Sequence, residues 1–283
     1  MIAITGATGH LGRLTIQALL ERGTAPQDIV AVVRTPSKAA DLAQQGVQVR
    51  QGDYAQPETL PLALAGVSTL LLISSNDLTD RVSQHRHVIE AARQAGVKRL
   101  VYTSLLKADT SSLSLAADHF ATEELIRTSG MGFVFLRNGW YFENYNPVQA
   151  AQTGAILGSA GTGRVSAASR ADYAQAAAAV LTEPGDNNQI YELGGDQAFS
   201  LDELAAEVQA QSGRPVMYRD LPPEEYAQTL TGFGLPPALA QMLASSDVGL
   251  ARGDLFTERR DLSQLLGRPT TPMPKAVAQA LQG

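Results

Sequence analysis

Along the first half of the chain, short β-branched or leucine-rich runs alternate with longer stretches in which apolar positions recur at helical spacing. The runs are Ile2–Ile4, Ile29–Val33, Val47–Gln51, Thr69–Ile73, Arg99–Thr103 and Gly132–Leu136, and each predicts a strand. Between them, Leu11–Arg22, Pro36–Gln45, Thr59–Ala65, Asp80–Ala95 and Ala116–Ser129 predict amphipathic helices. Gly23, Gly46, Gly66, Gly96 and Gly130 stand where a left-handed residue closes a helix. Strand–helix alternation of this kind predicts an α/β fold, a Rossmann-type doubly wound parallel sheet.

The second half has a different rhythm. An alanine-rich helix covers Asp172–Leu181, and Ser200-Leu-Asp-Glu203 reads as a capping box opening a helix that stops at Gly213, before Pro215. Proline-punctuated short helices follow over Glu224–Leu230, Pro237–Ala244 and Asp261–Leu266. The expected division is a dinucleotide-binding domain over residues 1–182, with 138–164 contributing to a substrate cleft, and a smaller, mainly helical C-terminal lobe over 183–283. In doubly wound proteins such a lobe covers the carboxyl ends of the strands, where ligands bind.

Composition narrows the class. The 283 residues are 44% hydrophobic, enough for a substantial core, and carry a net charge of −6 with no basic run, which argues against a nucleic-acid partner. No cysteine is present, so disulfides, thiolate nucleophiles and thiolate metal sites are excluded together. His85 and His87 lie two apart on one helix and face different sides, so no metal site is expected. Apolar runs such as Leu70–Ile73 are too short to span a bilayer, and a cytoplasmic protein without membrane partners is the expectation.

The most informative chemistry lies at the start. Gly6-Ala7-Thr8-Gly9-His10-Leu11-Gly12 follows the first strand and opens the first helix. That order lets the backbone approach a pyrophosphate, which then rests on the N–H groups of the helix N-terminus. At the end of the second predicted strand, NAD sites carry an acid for the ribose hydroxyls, whereas NADP sites carry an arginine for the 2′-phosphate. Here that residue is Arg34, with Lys38 four residues on and no acid between, so NADPH is expected in preference to NADH. Asp28 sits at the wrong end of the strand to meet the ribose, and Gly52-Asp53-Tyr54 is a candidate adenine contact or a plain turn.

Five stretches together resemble the NmrA-like atypical short-chain dehydrogenase/reductases, and within them the bacterial quinone reductases. They are the glycine-rich start, Leu71–Ser75, Tyr102–Thr110, Leu136–Tyr145 and Arg170–Tyr173. The resemblance runs over essentially the whole chain. It implies cofactor contacts at Ser74, Ser75 and Asn76, for which the plain alternative is helix capping, and at Asn138, Gly139, Trp140, Tyr141, Phe142 and Glu143 on the nicotinamide side. The aromatic residues of that segment could stack on a flat substrate or serve as core.

One departure from the conventional short-chain pattern bears on mechanism. No tyrosine has a lysine four residues later, so the Tyr-x-x-x-Lys proton donor is missing, and Asp118-His119 stands where the resemblance would place it. An alkoxide, whose conjugate acid has a pKa near water's value of about 15.7, needs such a donor. A phenolate, with a conjugate acid near about 10, can take its proton from solvent. A quinone is therefore the expected acceptor and an aliphatic carbonyl is not, with direct hydride transfer and no separate flavin signature. His119 and Tyr141 are candidate catalytic groups, His119 having a helix-surface residue as its plain alternative. A second reading is a non-catalytic NADP-binding redox sensor acting through a protein partner; homodimerisation stays open in either.

Overall fold

In a computed structural model describing residues 1–183 and 188–282, the predicted alternation is present in full. In chain order the elements of the first part are β1 (Ile2–Ile4), α1 (His10–Glu21), β2 (Ile29–Val33), α2 (Ala40–Gln44), β3 (Gln48–Gln51), α3 (Leu60–Ala63), β4 (Thr69–Leu72), α4 (Arg81–Gln94), β5 (Arg99–Leu105), α5 (Ser114–Thr128) and β6 (Gly132–Asn138). There follow α6 (Pro147–Thr153), β7 (Ala155–Gly158), α7 (Arg170–Thr182), β8 (Gln189–Leu193), α8 (Leu201–Ser212), β9 (Met217–Asp220), α9 (Pro223–Gly232), α10 (Pro237–Ala251), α11 (Asp261–Leu266) and α12 (Met273–Gln282). The chain divides into two compact units. The first comprises Met1–Leu105, Asp118–Asn138 and Arg170–Tyr191; the second takes in Leu106–Ala117, Gly139–Ser169 and Glu192–Gly283.

The main sheet has strand order β3-β2-β1-β4-β5-β6-β8. Its pairs β1–β2, β1–β4, β2–β3, β4–β5 and β5–β6 are parallel. The order reverses at β1, which is where doubly wound sheets open a ligand crevice. Alternate residues of the central strands point to opposite faces. Ala3, Val30, Val32, Leu70, Leu72, Leu100, Tyr102 and Phe135 share one core with Leu60 and Leu64 near α3, Val88 and Ile89 of α4 and Ile126 of α5. On another side of the unit α1 packs against α7, whose buried Ala174 and Ala176–Ala179 remove the bulk that would hold the two helices apart. With both faces covered, the inner strands read as unbroken apolar runs.

The second unit contains a two-stranded parallel sheet, β7 with β9, in register from Ala155–Met217 to Gly158–Asp220. Ser200 caps α8 through the expected capping box, and Gly213 ends the helix in the left-handed conformation at φ +67°. Helix α10 continues to Ala251, past the predicted stop at Ala244, and the Ser246 hydroxyl folds back onto the Met242 carbonyl at 2.8 Å, so the serine pair does not break it. Strands β7, β8 and β9 and helices α6 and α12 escaped the sequence reading. β8 (Gln-Ile-Tyr-Glu-Leu) and β9 (Met-Tyr-Arg-Asp) lack the uniform apolar pattern of the central sheet, and β7 (Ala-Ile-Leu-Gly) is apolar but only four residues long.

A charged pair is enclosed in the first unit. Glu123, fully buried on α5, accepts Arg137 Nε at 2.9 Å and Nη2 at 2.8 Å, and the Ser104 hydroxyl at 2.6 Å. Both carboxylate oxygens are thus engaged, and α5 is tied to β5 and β6 near their carboxyl ends. Removing one member of a buried pair strands the other charge in a low dielectric. Glu123→Ala is therefore expected to lower the unfolding free energy by roughly 3–5 kcal/mol, measured by chemical denaturation.

Candidate functional site

The β1–α1 turn gives its three glycines three separate tasks. Gly6 adopts φ +58°, which a side chain resists, and turns the chain out of the strand. Gly9 is the helix N-cap, extended at φ −75° and ψ 166°, with no side-chain cap and no acid in the first turn. Gly12 is buried, and a Cβ there would lie 2.5 Å from the Gly6 carbonyl oxygen and 2.8 Å from Ala7 Cα. Helix and turn are in backbone contact at this point. Gly6, Gly9 and His10 are exposed, Thr8 is half-buried, and Ala7 and Leu11 are buried anchors on either side. The result is a helix N-terminus with open N–H groups and no competing anion, which fits a pyrophosphate.

Next to β1 in the sheet, β2 ends directly before Arg34. Arg34 is exposed, and among the described residues it forms no ion pair. Arg13, by contrast, is committed to Asp41 and to the Lys38 carbonyl oxygen, and the Arg13 guanidinium holds the Asp41 carboxyl below the usual range. Asp41 is thereby paired with Arg13.

A residue absent from the sequence-based candidates organises the strand ends. The Thr5 hydroxyl, fully buried just past β1, donates to the Leu71 carbonyl at 3.1 Å and accepts the Ile73 N–H at 3.1 Å. Tyr54 places its hydroxyl 2.5 Å from Thr5 Oγ1 and 2.9 Å from the Ile73 carbonyl oxygen. The candidate adenine contact is thus also a strut across the ends of β1 and β4. Gly52 before it has no space for a Cβ, which would meet Val32 Cγ1 at 2.6 Å.

After β4, Ser74 and Ser75 are half-buried and Asn76 is exposed. The Ser74 N–H donates to the Thr103 hydroxyl at 2.9 Å. Ser75 serves the start of α4: its N–H donates to His85 Nε2 at 2.9 Å, its hydroxyl to Gln84 Oε1 at 2.6 Å, and its carbonyl accepts Arg81 Nε at 2.9 Å. That bond makes His85 Nε2 an acceptor, so Nδ1 carries the proton and faces the Thr122 hydroxyl at 2.9 Å. Burial and the Arg81 guanidinium press the His85 pKa down to about 3.

His119 is not the helix-surface residue of the plain alternative. It is 6% exposed, and its Nδ1 lies 2.8 Å from the hydroxyl of the fully buried Tyr102. Burial first, then Arg81 and His85, hold its pKa well below the ordinary value, while burial raises that of Tyr102. A surface position was expected because Asp118 beside it looked like a cap, but Asp118 pairs with Arg81 at 3.0 Å. Among the described residues no cluster of His, Asp and Glu could hold a metal ion.

Asn138 ends β6, buried in the first unit. Gly139–Glu143 belong to the second. Trp140 is 8% exposed and Phe142 is buried, Tyr141 is half-buried, and Glu143 is exposed. Three backbone bonds fix this segment to its own unit: Gly139 N–H to the Leu193 carbonyl at 2.8 Å, Phe142 N–H to the Ala168 carbonyl at 2.9 Å, and Ala168 N–H to the Trp140 carbonyl at 3.1 Å.

A doubly wound sheet with an uncapped, glycine-lined helix N-terminus at its topological switch defines a dinucleotide-binding protein. Comparison with known proteins makes the assignment narrower. A family model described as NAD(P)H-binding matches residues 6–184, and the chain belongs to that family, in its NmrA-like branch. It is 50% identical over 280 residues, 98% of each chain, to quinone oxidoreductase 2 of Escherichia coli (strain K12). A crystal structure of NADPH-dependent quinone oxidoreductase from Escherichia coli complexed with NADPH superposes with TM-score 0.95 at 49% identity over 99% of both chains. A Citrobacter sp. triphenylmethane reductase complexed with NADP(H) gives TM-score 0.95 at 41% identity, covering 99% of this chain and 100% of that one.

Two substitutions test the turn and the strand end. Gly9→Val keeps an allowed backbone at φ −75° and ψ 166°, although its Cβ would press on the Gly6 carbonyl oxygen at 3.2 Å. It is expected to abolish dinucleotide binding in calorimetry while leaving the melting curve in place. Arg34→Ala is expected to weaken NADPH by roughly 1.5–3 kcal/mol, the worth of a charge-assisted hydrogen bond, and to leave NADH nearly unaffected. Titration of both cofactors against both proteins decides it; equal weakening would remove Arg34 from the 2′-phosphate.

Proposed function

We propose that this chain is an NADPH-dependent quinone reductase that passes a hydride to the quinone directly, without a flavin. The observation that carries the reading is the full-length likeness to quinone oxidoreductase 2, at 50% identity. In this reading the N–H groups at the start of α1 bind the pyrophosphate, and Gly9 lets it approach. Arg34 takes the 2′-phosphate through its planar donor fork. Ser74, Ser75 and Asn76 line the path past β4. Asn138 and Gly139 orient the carboxamide of the nicotinamide, and Trp140, Tyr141, Phe142 and Glu143 stand on the quinone side.

NADPH, when bound, supplies the hydride. The chain's contribution is chiefly proximity and orientation. The buried groups near the end of β5 support this division of labour. Ser104 is bonded to Glu123, Glu123 to Arg137, and His119 to Tyr102. None is presented as an acid, and burial disfavours the charged forms of both His119 and Tyr102. A quinone tolerates that, because its reduced oxygen is a phenolate which solvent protonates. An aliphatic ketone does not.

Among the described residues no helix is long and apolar enough to cross a membrane, and we place the enzyme in the cytoplasm on the likeness to its bacterial relatives. Oxidation of NADPH followed at 340 nm with a panel of benzoquinones and simple ketones tests the reading. Quinones are expected to turn over and ketones to be inert, without the steep alkaline loss of a tyrosine acid. Comparable rates for a ketone would require a proton donor, and His119→Gln would then be the first variant to measure. NADPH binding with no quinone turned over would point instead to a redox sensor.

A further inference from the structure

Two histidines of α4, His85 and His87, have no part in the chemistry described so far. Two apart on a helix, they face different sides, and each side meets a different loop. His87 Nδ1 lies 2.8 Å from the Tyr54 carbonyl oxygen, which can only accept, so this nitrogen carries the proton. His85 has the opposite polarity, its Nε2 accepting the Ser75 N–H at 2.9 Å. One histidine thus donates to the turn after β3 and the other accepts from the loop after β4.

Neither contact is isolated. Ser75 is held at every polar atom: its carbonyl accepts Arg81 Nε at 2.9 Å, and its hydroxyl donates to Gln84 Oε1 at 2.6 Å and accepts the Asp77 N–H at 3.1 Å. Arg81, Gln84 and His85 stand at i, i+3 and i+4, so one face of α4 supplies all three side chains. Helix α5 backs that face. Asp118 pairs with Arg81 at 3.0 Å, and the Thr122 hydroxyl, which donates to the Asp118 carbonyl at 2.8 Å, accepts His85 Nδ1–H at 2.9 Å. Burial and Arg81 hold the His85 pKa at about 3, so Nε2 remains an acceptor at neutral pH. The two loops also meet directly, with the Tyr54 hydroxyl 2.9 Å from the Ile73 carbonyl oxygen and the Tyr54 ring edge-on to His85 at 6.3 Å between centroids.

We propose that His85 and His87 are positioning residues for the dinucleotide, through which α4 holds the turn at 52–54 and the loop at 74–76 in place for the adenosine half of the cofactor. The inference rests on the reading of those two loops as cofactor contacts. Ser75 is then a bracket rather than a contact, since its polar groups are spent within the protein. The side chains of Ser74 and Asn76, on either side of it, are the ones left to meet the ligand.

Titration of NADPH and of NADH against purified variants, with a melting curve for each, tests the proposal. His87→Leu removes the donor, and His85→Phe removes the acceptor while keeping a ring. Each is expected to weaken NADPH about three- to tenfold, the scale of one hydrogen bond. NADH is expected to weaken by the same factor, because the adenine and its ribose ring are common to both, and this sets the variants apart from Arg34→Ala. His87→Asn places an amide N–H near the position of Nδ1, and His85→Gln an amide oxygen near that of Nε2. Both are expected to recover the affinity even where stability is not recovered. With a benzoquinone and saturating NADPH, kcat is expected to change little.

A purely structural role would lower the melting temperature and leave both Kd values in place, and that result overturns the proposal. So does an equal loss of affinity in the conservative and the non-conservative variants. Asp53→Ala and Asn76→Ala, one in each loop, separate the proposal from the reading beneath it. If they weaken NADPH while the histidine variants do not, the loops stand as cofactor contacts and the role of the histidines is lost. If neither they nor the histidine variants alter affinity, the reading of the loops falls and the proposal falls with it.

Discussion

Everything in the nucleotide-binding unit follows from the contact of two backbones. With no side chain at residue 12, α1 closes onto the turn that launches it, leaving only 2.5 Å between the position of a Gly12 Cβ and the Gly6 carbonyl oxygen. That contact fixes the direction of α1 relative to β1, and hence where its free N–H groups point. It also brings α1 over the sheet, where α7 presents alanines. The alanine-rich composition of one helix and the glycine at the start of another are two parts of one packing solution, joined across most of the unit's length in sequence.

The same unit pairs the buried polar groups at its strand ends. Thr5, with one hydroxyl, serves two strand ends and Tyr54. Glu123 has both oxygens engaged, and His85 is fixed in one tautomer by a backbone N–H on one nitrogen and a threonine on the other. Such networks hold the strand ends rigid, and they take out of reach the groups that might otherwise give or take a proton. Rigidity at the cofactor and the lack of a ready acid are consequences of one arrangement. A reaction that needs close placement and little proton chemistry suits it.

Much of this was legible in the chain, and the boundary of legibility has physical causes. Strands β1, β2 and β4 to β6 were located because buried parallel strands are largely apolar, β3 (Gln-Val-Arg-Gln) from its place in the alternation, and the closing glycines marked the helix ends. β9 was missed because a short exposed pair carries no such pattern, and α10 was cut short because Ser245-Ser246 resembles a break until the Ser246 hydroxyl is seen bonded to the Met242 carbonyl. The glycine motif and Arg34 stood out since each depends on one residue type at one place. Thr5 did not, for a threonine after a strand has no signature until three partners converge on it. His119 was read from its neighbour Asp118, whose partner Arg81 lies 37 residues away, and no local reading recovers a pairing of that range.

The two units treat buried acids in opposite ways. In the first, Glu123 is met by Arg137 in a bidentate pair, and the carboxylate is held as an ion by a cation of fixed geometry. In the second, Asp247 is met by one backbone N–H and by groups that are neutral or negative, so only the Ser159 N–H opposes its desolvation. A buried acid whose folded pKa is raised favours the fold most below its unfolded value of about 3.9, and that contribution is lost as pH climbs through the folded value. The Asp247 arrangement is thus costly for stability at neutral pH. His85 acts in the other direction. Its lowered pKa favours the fold above its unfolded value of about 6.5 and penalises it as pH falls. Between those two values each group adds a cost that the other does not share, so the Asp247 term is read from the difference between the parent and an Asp247 variant, in which the histidine contribution cancels.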